Sequence, residues 1–170
     1  MDLKKYIYDI PNFPSEGILF RDITPLLDDS DAFNYTVNKM MEIAKSFGAT
    51  KIVSPEARGF LFGTPVAYGL NVGFVPVRKP GKLPRETIMQ KYTLEYGTNT
   101  LAMHADAIKK GDKVVIVDDL LATGGTVLAA ARLVEELGGE VVGMVFAIEL
   151  VDLNGKKVLE EYNIESLIKY

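Results

Sequence analysis

The clearest periodicity lies in the second half of the chain. Residues 113–117, Lys-Val-Val-Ile-Val, form a β-branched run without polar alternation, the pattern of a strand covered on both faces in a parallel sheet. From 127 to 137 the apolar residues Val127, Ala130, Ala131, Val134 and Leu137 recur at three- and four-residue spacing, and Gly138-Gly139 supplies the left-handed stop that a helix end favours. Residues 140–148 read as another strand. A strand, a helix and a strand joined by short connections imply a right-handed parallel crossover. Upstream, Phe33, Val37, Met40, Met41, Ala44 and Phe47 predict a helix over 33–47 that Gly48 ends, and a strand begins at 51–54. Residues 59–70 read as a small-residue helix that Pro65 must open or kink, and 73–77 as the next strand. Residues 79–97 break this rhythm with Pro80, Gly81 and Pro84 before 98–104 resumes as strand. An insertion of this length inside a compact domain reads as a lid or binding loop. With no internal repeat or interdomain linker, the pattern predicts one α/β domain over 1–170, built on a central, mainly parallel sheet flanked by helices.

Composition narrows the chemistry. The chain has no cysteine and one histidine, His104, which excludes disulfides, thiolate nucleophiles, iron–sulfur clusters and metal sites built on several imidazoles. We read His104 as structural and the Met40-Met41 pair as helix core. Nineteen basic and 23 acidic residues give a net charge of −4, so no global basic field drives nucleic-acid binding. The longest apolar run, 141–148, is far below the ~20 residues that cross a bilayer. Met1-Asp2-Leu3-Lys4-Lys5 is not followed by a signal-peptide core, so a cytoplasmic protein with neither nucleic-acid nor membrane partner is expected. Against this acidic background, Arg78, Lys79, Lys82, Arg85 and Lys91 cluster with Glu86 as the one acid among them. The segment is either a solvated basic loop or a local anion site.

Ligands in open α/β sheets bind beyond the carboxyl ends of the strands, which directs attention to the segment after 113–117. It reads Asp118-Asp119-Leu120-Leu121-Ala122-Thr123-Gly124-Gly125-Thr126 and is taken as a loop. Two carboxylates stand at what we expect to be a solvent-facing strand end. Thr-Gly-Gly-Thr then opens the helix, where free N–H groups, the positive helix end and the threonine hydroxyls suit a phosphate. Neither the Walker A pattern nor the dinucleotide Gly-x-Gly-x-x-Gly fingerprint is present. The competing reading is a capped helix start with a solvated acidic turn.

Residues 114–126 resemble the ribose-phosphate signature of the type I phosphoribosyltransferases, and the Leu-Leu-Ala-Thr-Gly-Gly-Thr variant resembles the branch that uses adenine. Asn12-Phe13-Pro14, Gly17-Ile18-Leu19-Phe20-Arg21-Asp22-Ile23-Thr24-Pro25, Glu56-Ala57-Arg58-Gly59-Phe60, Arg78-Lys79 with Gly81-Lys82-Leu83-Pro84, and Tyr92-Thr93-Leu94-Glu95-Tyr96-Gly97 are similar to the same family in the same order. Five blocks in register cover nearly the whole chain.

The resemblance implies the type I phosphoribosyltransferase fold, with an N-terminal base-binding hood at about 1–30 and a flexible lid at about 79–97. It also implies the reaction: adenine and 5-phosphoribosyl-1-pyrophosphate give AMP and pyrophosphate, with Mg2+ carried mainly by substrate and water, in a homodimer. Asp118 and Asp119 would hold the ribose hydroxyls and orient the magnesium shell, Leu120 and Leu121 would be substrate-binding with them, and Ala122, Thr123, Gly124, Gly125 and Thr126 would cradle the 5′-phosphate. Arg58, Lys79 and Lys82 would face pyrophosphate. Glu95 and Tyr96 would stand near the purine, Glu95 as acid or base at the attacking nitrogen. Leu19, Phe20 and Arg21 would receive the purine through backbone contacts and the Phe20 ring, with Leu150 closing from the opposite side. Ser54, where many relatives carry glycine, bears on the geometry of the pyrophosphate loop. Two other readings compete: a phosphoribosyltransferase for another purine such as xanthine, and a DNA-binding regulator that senses phosphoribosyl pyrophosphate. The regulator would need a basic module for which the chain has no spare length.

Overall fold

A computed structural model describes residues 1–93 and 97–170. Its centre is a five-stranded, wholly parallel sheet built from β3 (Lys51–Pro55), β4 (Gly73–Val77), β7 (Lys113–Leu121), β8 (Glu140–Glu149) and β9 (Ile164–Lys169), in the order β4-β3-β7-β8-β9. The apolar run at 114–117 lies in the middle strand. Its side chains alternate: Val114 and Ile116 join the core under α4 (Gly125–Glu136), and Val115 and Val117 join the core under α2 (Ser30–Ser46) and α3 (Arg58–Leu70). No polar alternation was needed because neither face meets water.

The helices follow their sequence patterns closely. Asp29 caps α2 by accepting from the Ala32 N–H at 2.8 Å, and Ala32, Thr36, Met40 and Ala44, four apart, form its buried stripe. At the end of α4, Gly138 takes the left-handed conformation (φ +90°) that its position required. Of the two expectations for Pro65, opening the helix is excluded: it lies inside α3, which runs from Arg58 to Leu70. Its ring leaves the Leu61 carbonyl without a helical donor at an exposed turn, where solvent can supply one.

Two further expectations change. The strand at 98–104 forms as β6 (Thr98–His104) but does not enter the central sheet. It pairs antiparallel with β5 (Thr87–Thr93), in register from Thr87↔His104 to Thr93↔Thr98. More than a third of the segment read as an irregular lid, 87–93 of 79–97, is therefore strand, packed along α4. Arg78 and Ala102 exchange backbone hydrogen bonds at 3.0 and 2.7 Å and tie this ribbon to the end of β4. The N-terminal region makes a separate antiparallel pair, β1 (Tyr8–Pro11) with β2 (Leu19–Asp22), followed by α1 (Thr24–Asp28). A short α5 (Gly155–Val158) precedes β9. Among the described residues no helix is long and apolar enough to cross a membrane.

Candidate active site

From the middle of the sheet, β3 connects toward one edge and β7 toward the other, so their carboxyl ends diverge into a crevice. A cleft of about 250 Å³ lies there, lined by Pro55 to Arg58 after β3 and by Asp118 to Val127 on β7 and the start of α4. The segment 118–121, taken as loop from the sequence, is strand. The β7 ladder continues against β8 through Asp118↔Phe146, Leu120↔Ile148 and Leu121↔Glu149. Ladder hydrogen bonds override the weak strand preference of paired aspartates.

The two acids are not solvent-facing, as the sequence suggested; Asp118 is 8% exposed and Asp119 5%. Asp118 sits under the first turn of α3, where a side chain on Gly59 would bring a Cβ to 2.8 Å from its Oδ1. The glycine of the Glu-Ala-Arg-Gly block is thus a space requirement of the carboxylate. Asp118 Oδ1 accepts from the Asp119 N–H at 2.8 Å. Burial, and next the neighbouring Asp119 charge, push the Asp118 carboxyl well above its usual range. Burial also raises Asp119, opposed chiefly by Arg58, whose Nε stands 2.9 Å from Asp119 Oδ2. That approach is a charge contact without an aligned hydrogen bond, so buried Oδ2 retains accepting capacity toward the cleft.

Beyond the acids the chain turns through residues 122–124 into α4. Gly124 is left-handed (φ +89°), and the first turn of α4 contains Gly125 and Thr126, so its N-terminal N–H groups border the cleft. Thr123 is exposed and Thr126 half-buried.

Glu56, quoted in a motif but given no role by the sequence, organises the opposite rim. It receives Lys82 Nζ at 2.8 Å and the Lys79 N–H at 2.7 Å, with Arg78 Nε at 3.3 Å. Burial pushes the Glu56 carboxyl up, but these donors and cations outweigh it and hold the group below its usual range. The signal available in the sequence was an acid two residues before Arg58 in a chain whose basic run holds five cations against one acid.

Arg58, Asp118 to Thr126 and, through Glu56, Lys79 and Lys82 are therefore assembled around one cleft. Phe20 reaches it indirectly: the Arg58 guanidinium lies 5.0 Å from the Phe20 ring centroid. Leu19 is exposed on β2, and Arg21 turns away to pair with Asp9 and stack on Tyr170. Leu150 follows β8, its N–H donating to the Leu121 carbonyl at 2.9 Å. Glu95 and Tyr96 lie outside the described residues. Ser54 does not face the pyrophosphate loop. Its buried hydroxyl has no hydrogen-bond partner and points at Gly63 in α3.

Comparison with known proteins agrees with this geometry. The phosphoribosyl transferase domain family matches residues 34–168. The chain is 63% identical to an adenine phosphoribosyltransferase of Clostridium botulinum over 170 residues, 100% of this chain and 99% of that one. It superposes on the crystal structure of adenine phosphoribosyltransferase from Thermoanaerobacter pseudethanolicus with a TM-score of 0.97 at 56% identity, covering 99% and 98% of the two chains. The enzyme of Saccharomyces cerevisiae, crystallised with adenine and an imino-altritol bisphosphate, gives a TM-score of 0.92 at 40% identity, with coverage of 98% and 96%. With buried paired acids, a glycine turn into a helix and a cationic rim joined at one sheet end, and with full-length likeness of this order, the chain belongs to the phosphoribosyltransferase family, in its adenine phosphoribosyltransferase branch.

Proposed function

We propose that this cleft transfers the phosphoribosyl group of 5-phosphoribosyl-1-pyrophosphate to N9 of adenine, yielding AMP and pyrophosphate. The observation that carries the reading is the buried Asp118–Asp119 pair, placed in one cleft between Arg58 and the glycine turn into α4. Breaking the bond between C1′ and pyrophosphate leaves positive charge on the ribose and negative charge on the leaving group. Carboxylates near the sugar and cations near pyrophosphate therefore stabilise the transition state more than the substrate.

Asp118 and Asp119 accept from the ribose hydroxyls, for which the open Oδ2 of Asp119 is suited. Residues 122–126 donate backbone N–H groups and the hydroxyls of Thr123 and Thr126 to the 5′-phosphate. Arg58, Lys79 and Lys82 take up the charge of pyrophosphate. Lys82 must then exchange Glu56 for the substrate, so the rim at 79–86 acts as the mobile part of the lid. As the bond from N9 to C1′ forms, the N9 proton has to leave; Glu95 accepts it or stabilises the shifted tautomer, with Tyr96 beside it. In the hood, β2 pairs among the described residues with β1 alone. Its other edge leaves the backbone of Leu19 to Arg21 available to a purine, where a carbonyl accepts from a 6-amino group but not from a 6-oxo group. A mismatch leaves one buried polar group unpaired, a penalty of about 1–3 kcal/mol. Leu150, held beside Leu121, closes the other side.

The donor set suits magnesium that travels with the substrate. Two adjacent carboxylates can orient metal-bound water, and among the described residues no group of three or more His, Asp or Glu could cage the ion. When bound, magnesium supplies positive charge to the pyrophosphate oxygens as they leave. The homodimer is supported by apolar side chains that α3 leaves at the surface on one face, two turns apart, Leu61 and the 90% exposed Tyr68; sedimentation of the purified chain checks it. A cytoplasmic location accords with a small-molecule substrate pair of this kind.

The deciding measurement is pyrophosphate release with phosphoribosyl pyrophosphate and magnesium, run in parallel on adenine, hypoxanthine, guanine and xanthine. Turnover confined to adenine is expected. Preference for xanthine or another 6-oxo purine would move the assignment to a sister activity, and no turnover with any base would favour a sensor.

A further inference from the structure

Three charged side chains are buried in the described chain outside the Glu56 rim: Asp118, Asp119 and Glu149, the last 6% exposed. The proposed reaction uses the first two and leaves Glu149 unexplained. Glu149 ends β8 and is the register partner of Leu121, the last residue of β7 before the glycine turn. Its Oε2 accepts from Ser166 Oγ at 2.8 Å and pairs with Lys156 Nζ at 3.2 Å. Lys156 belongs to α5, which Asn154 enters through a left-handed turn (φ +55°) and which Leu159 anchors in the core shared with Leu121.

The turn of α5 rests directly on the phosphate loop. A Cβ on Gly155 would collide with the Ala122 carbonyl and lie 2.9 Å from Leu121 Cδ1, and a Cβ on Gly124 would lie 2.9 Å from the Gly155 carbonyl. Backbone meets backbone at these two glycines, with no side chain between them to absorb a shift. The height of the 122–125 turn, and with it the direction of its N–H groups, is therefore set by where α5 sits. The ion pair that holds α5 to the sheet is Glu149–Lys156.

We propose that Glu149 and Lys156 are positioning residues for the 5′-phosphate, acting through Gly155 on the loop 122–125. This rests on reading that loop as the 5′-phosphate cradle. Lys156 does not touch the substrate. Removing it frees α5 to drift from the loop and leaves a buried carboxylate with only Ser166 as partner.

The test compares Lys156→Met with Lys156→Arg, and Glu149→Gln in parallel, by calorimetric binding of ribose 5-phosphate, pyrophosphate with magnesium, and adenine, together with steady-state kinetics. In Lys156→Met the affinity for ribose 5-phosphate should fall about fivefold or more. The KM for phosphoribosyl pyrophosphate should rise by a similar factor, with kcat within about twofold and the affinities for pyrophosphate and adenine unchanged. Lys156→Arg, which restores the cation, should recover most of the loss, and Glu149→Gln should resemble Lys156→Met. Equal weakening of all three ligands would assign the pair to general stability and overturn the proposal. Unchanged binding of ribose 5-phosphate would do the same. If the unaltered protein binds pyrophosphate but not ribose 5-phosphate, the cradle reading itself is wrong and the positioning role falls with it.

Discussion

The two walls of the cleft are made by different means. On the β7 side, Asp118 and Asp119 are carried on the most deeply buried strand of the sheet and held by ladder hydrogen bonds, a close-packed glycine and the start of α4. On the other side, Arg78 and Lys82 stand at the rim and are gathered by one carboxylate, Glu56, which also accepts from the Lys79 N–H, through contacts that water and ligand can replace. The first wall is shaped before substrate arrives, and its cost is paid as desolvated charge. The second is provisional. In the proposed reaction, electrostatic stabilisation at the sugar then comes from preorganised groups, while the charge that must leave with pyrophosphate is met by groups able to let go.

The sharpest way to test that contrast is to neutralise the rigid wall. Asp118→Asn with Asp119→Asn should lower kcat by about a hundredfold or more while the fold survives, a loss of the size seen when preorganised electrostatic groups are removed. Activity unchanged in a folded double variant would remove both acids from the reaction. Neutralising a cation of the provisional wall should act differently: Lys82→Ala should raise the KM for phosphoribosyl pyrophosphate about tenfold with a smaller change in kcat, because the remaining cations still meet the leaving group. A collapse of kcat with constant KM would show that the rim is as preorganised as the floor.

Stability should respond in the opposite sense to activity. Folding raises the Asp118 pKa, so the folded chain binds this proton more tightly than the unfolded chain does. The sign follows from linkage: the cost of ionising it is absent below the unfolded value near 4, grows as pH rises toward the folded value, and is fully present above that. Asp118→Asn should therefore raise stability at pH 7 by about 1–2 kcal/mol, measured as a shift of the urea midpoint, and the gain should shrink to nothing below pH 4. A loss of stability at pH 7 would mean that the Arg58 charge reaches Asp118 strongly enough to outweigh burial. The smallest effect is expected away from both walls. Ser54→Ala should stabilise by about 1 kcal/mol by removing an unpaired buried hydroxyl, with turnover within about twofold, since Ser54 faces α3.

Much of this was legible in the chain. The strands at 113–117 and 73–77 and the helix at 127–137 declared themselves because each carries one unbroken apolar signal and a glycine or polar stop. The paired acids and the Thr-Gly-Gly-Thr turn marked the site for the same reason: residue types costly to fold stand where the pattern should have been apolar or regular. What escaped notice depended on partners distant in sequence. The strand state of 118–121 is set by β8, some thirty residues on, and the pairing of 87–93 by β6. The edge strand β9 mixes Glu165, Ser166 and Lys169 with three apolar residues over six positions, too short and irregular a pattern to register. Glu56 was invisible as an organiser because its cations lie more than twenty residues away.

Arg58 links the hood to the floor of the cleft. The same guanidinium lies 5.0 Å from the Phe20 ring centroid and its Nε 2.9 Å from Asp119 Oδ2, so one cation spans the two places where the proposed reaction puts the base and the ribose. A ligand that draws this cation toward pyrophosphate takes it from the aromatic ring, and a base resting on that ring resists the movement. With both substrates bound as proposed, they are thermodynamically linked through this one side chain, and linkage is reciprocal. Whatever factor bound adenine imposes on the dissociation constant of phosphoribosyl pyrophosphate, phosphoribosyl pyrophosphate imposes on that of adenine.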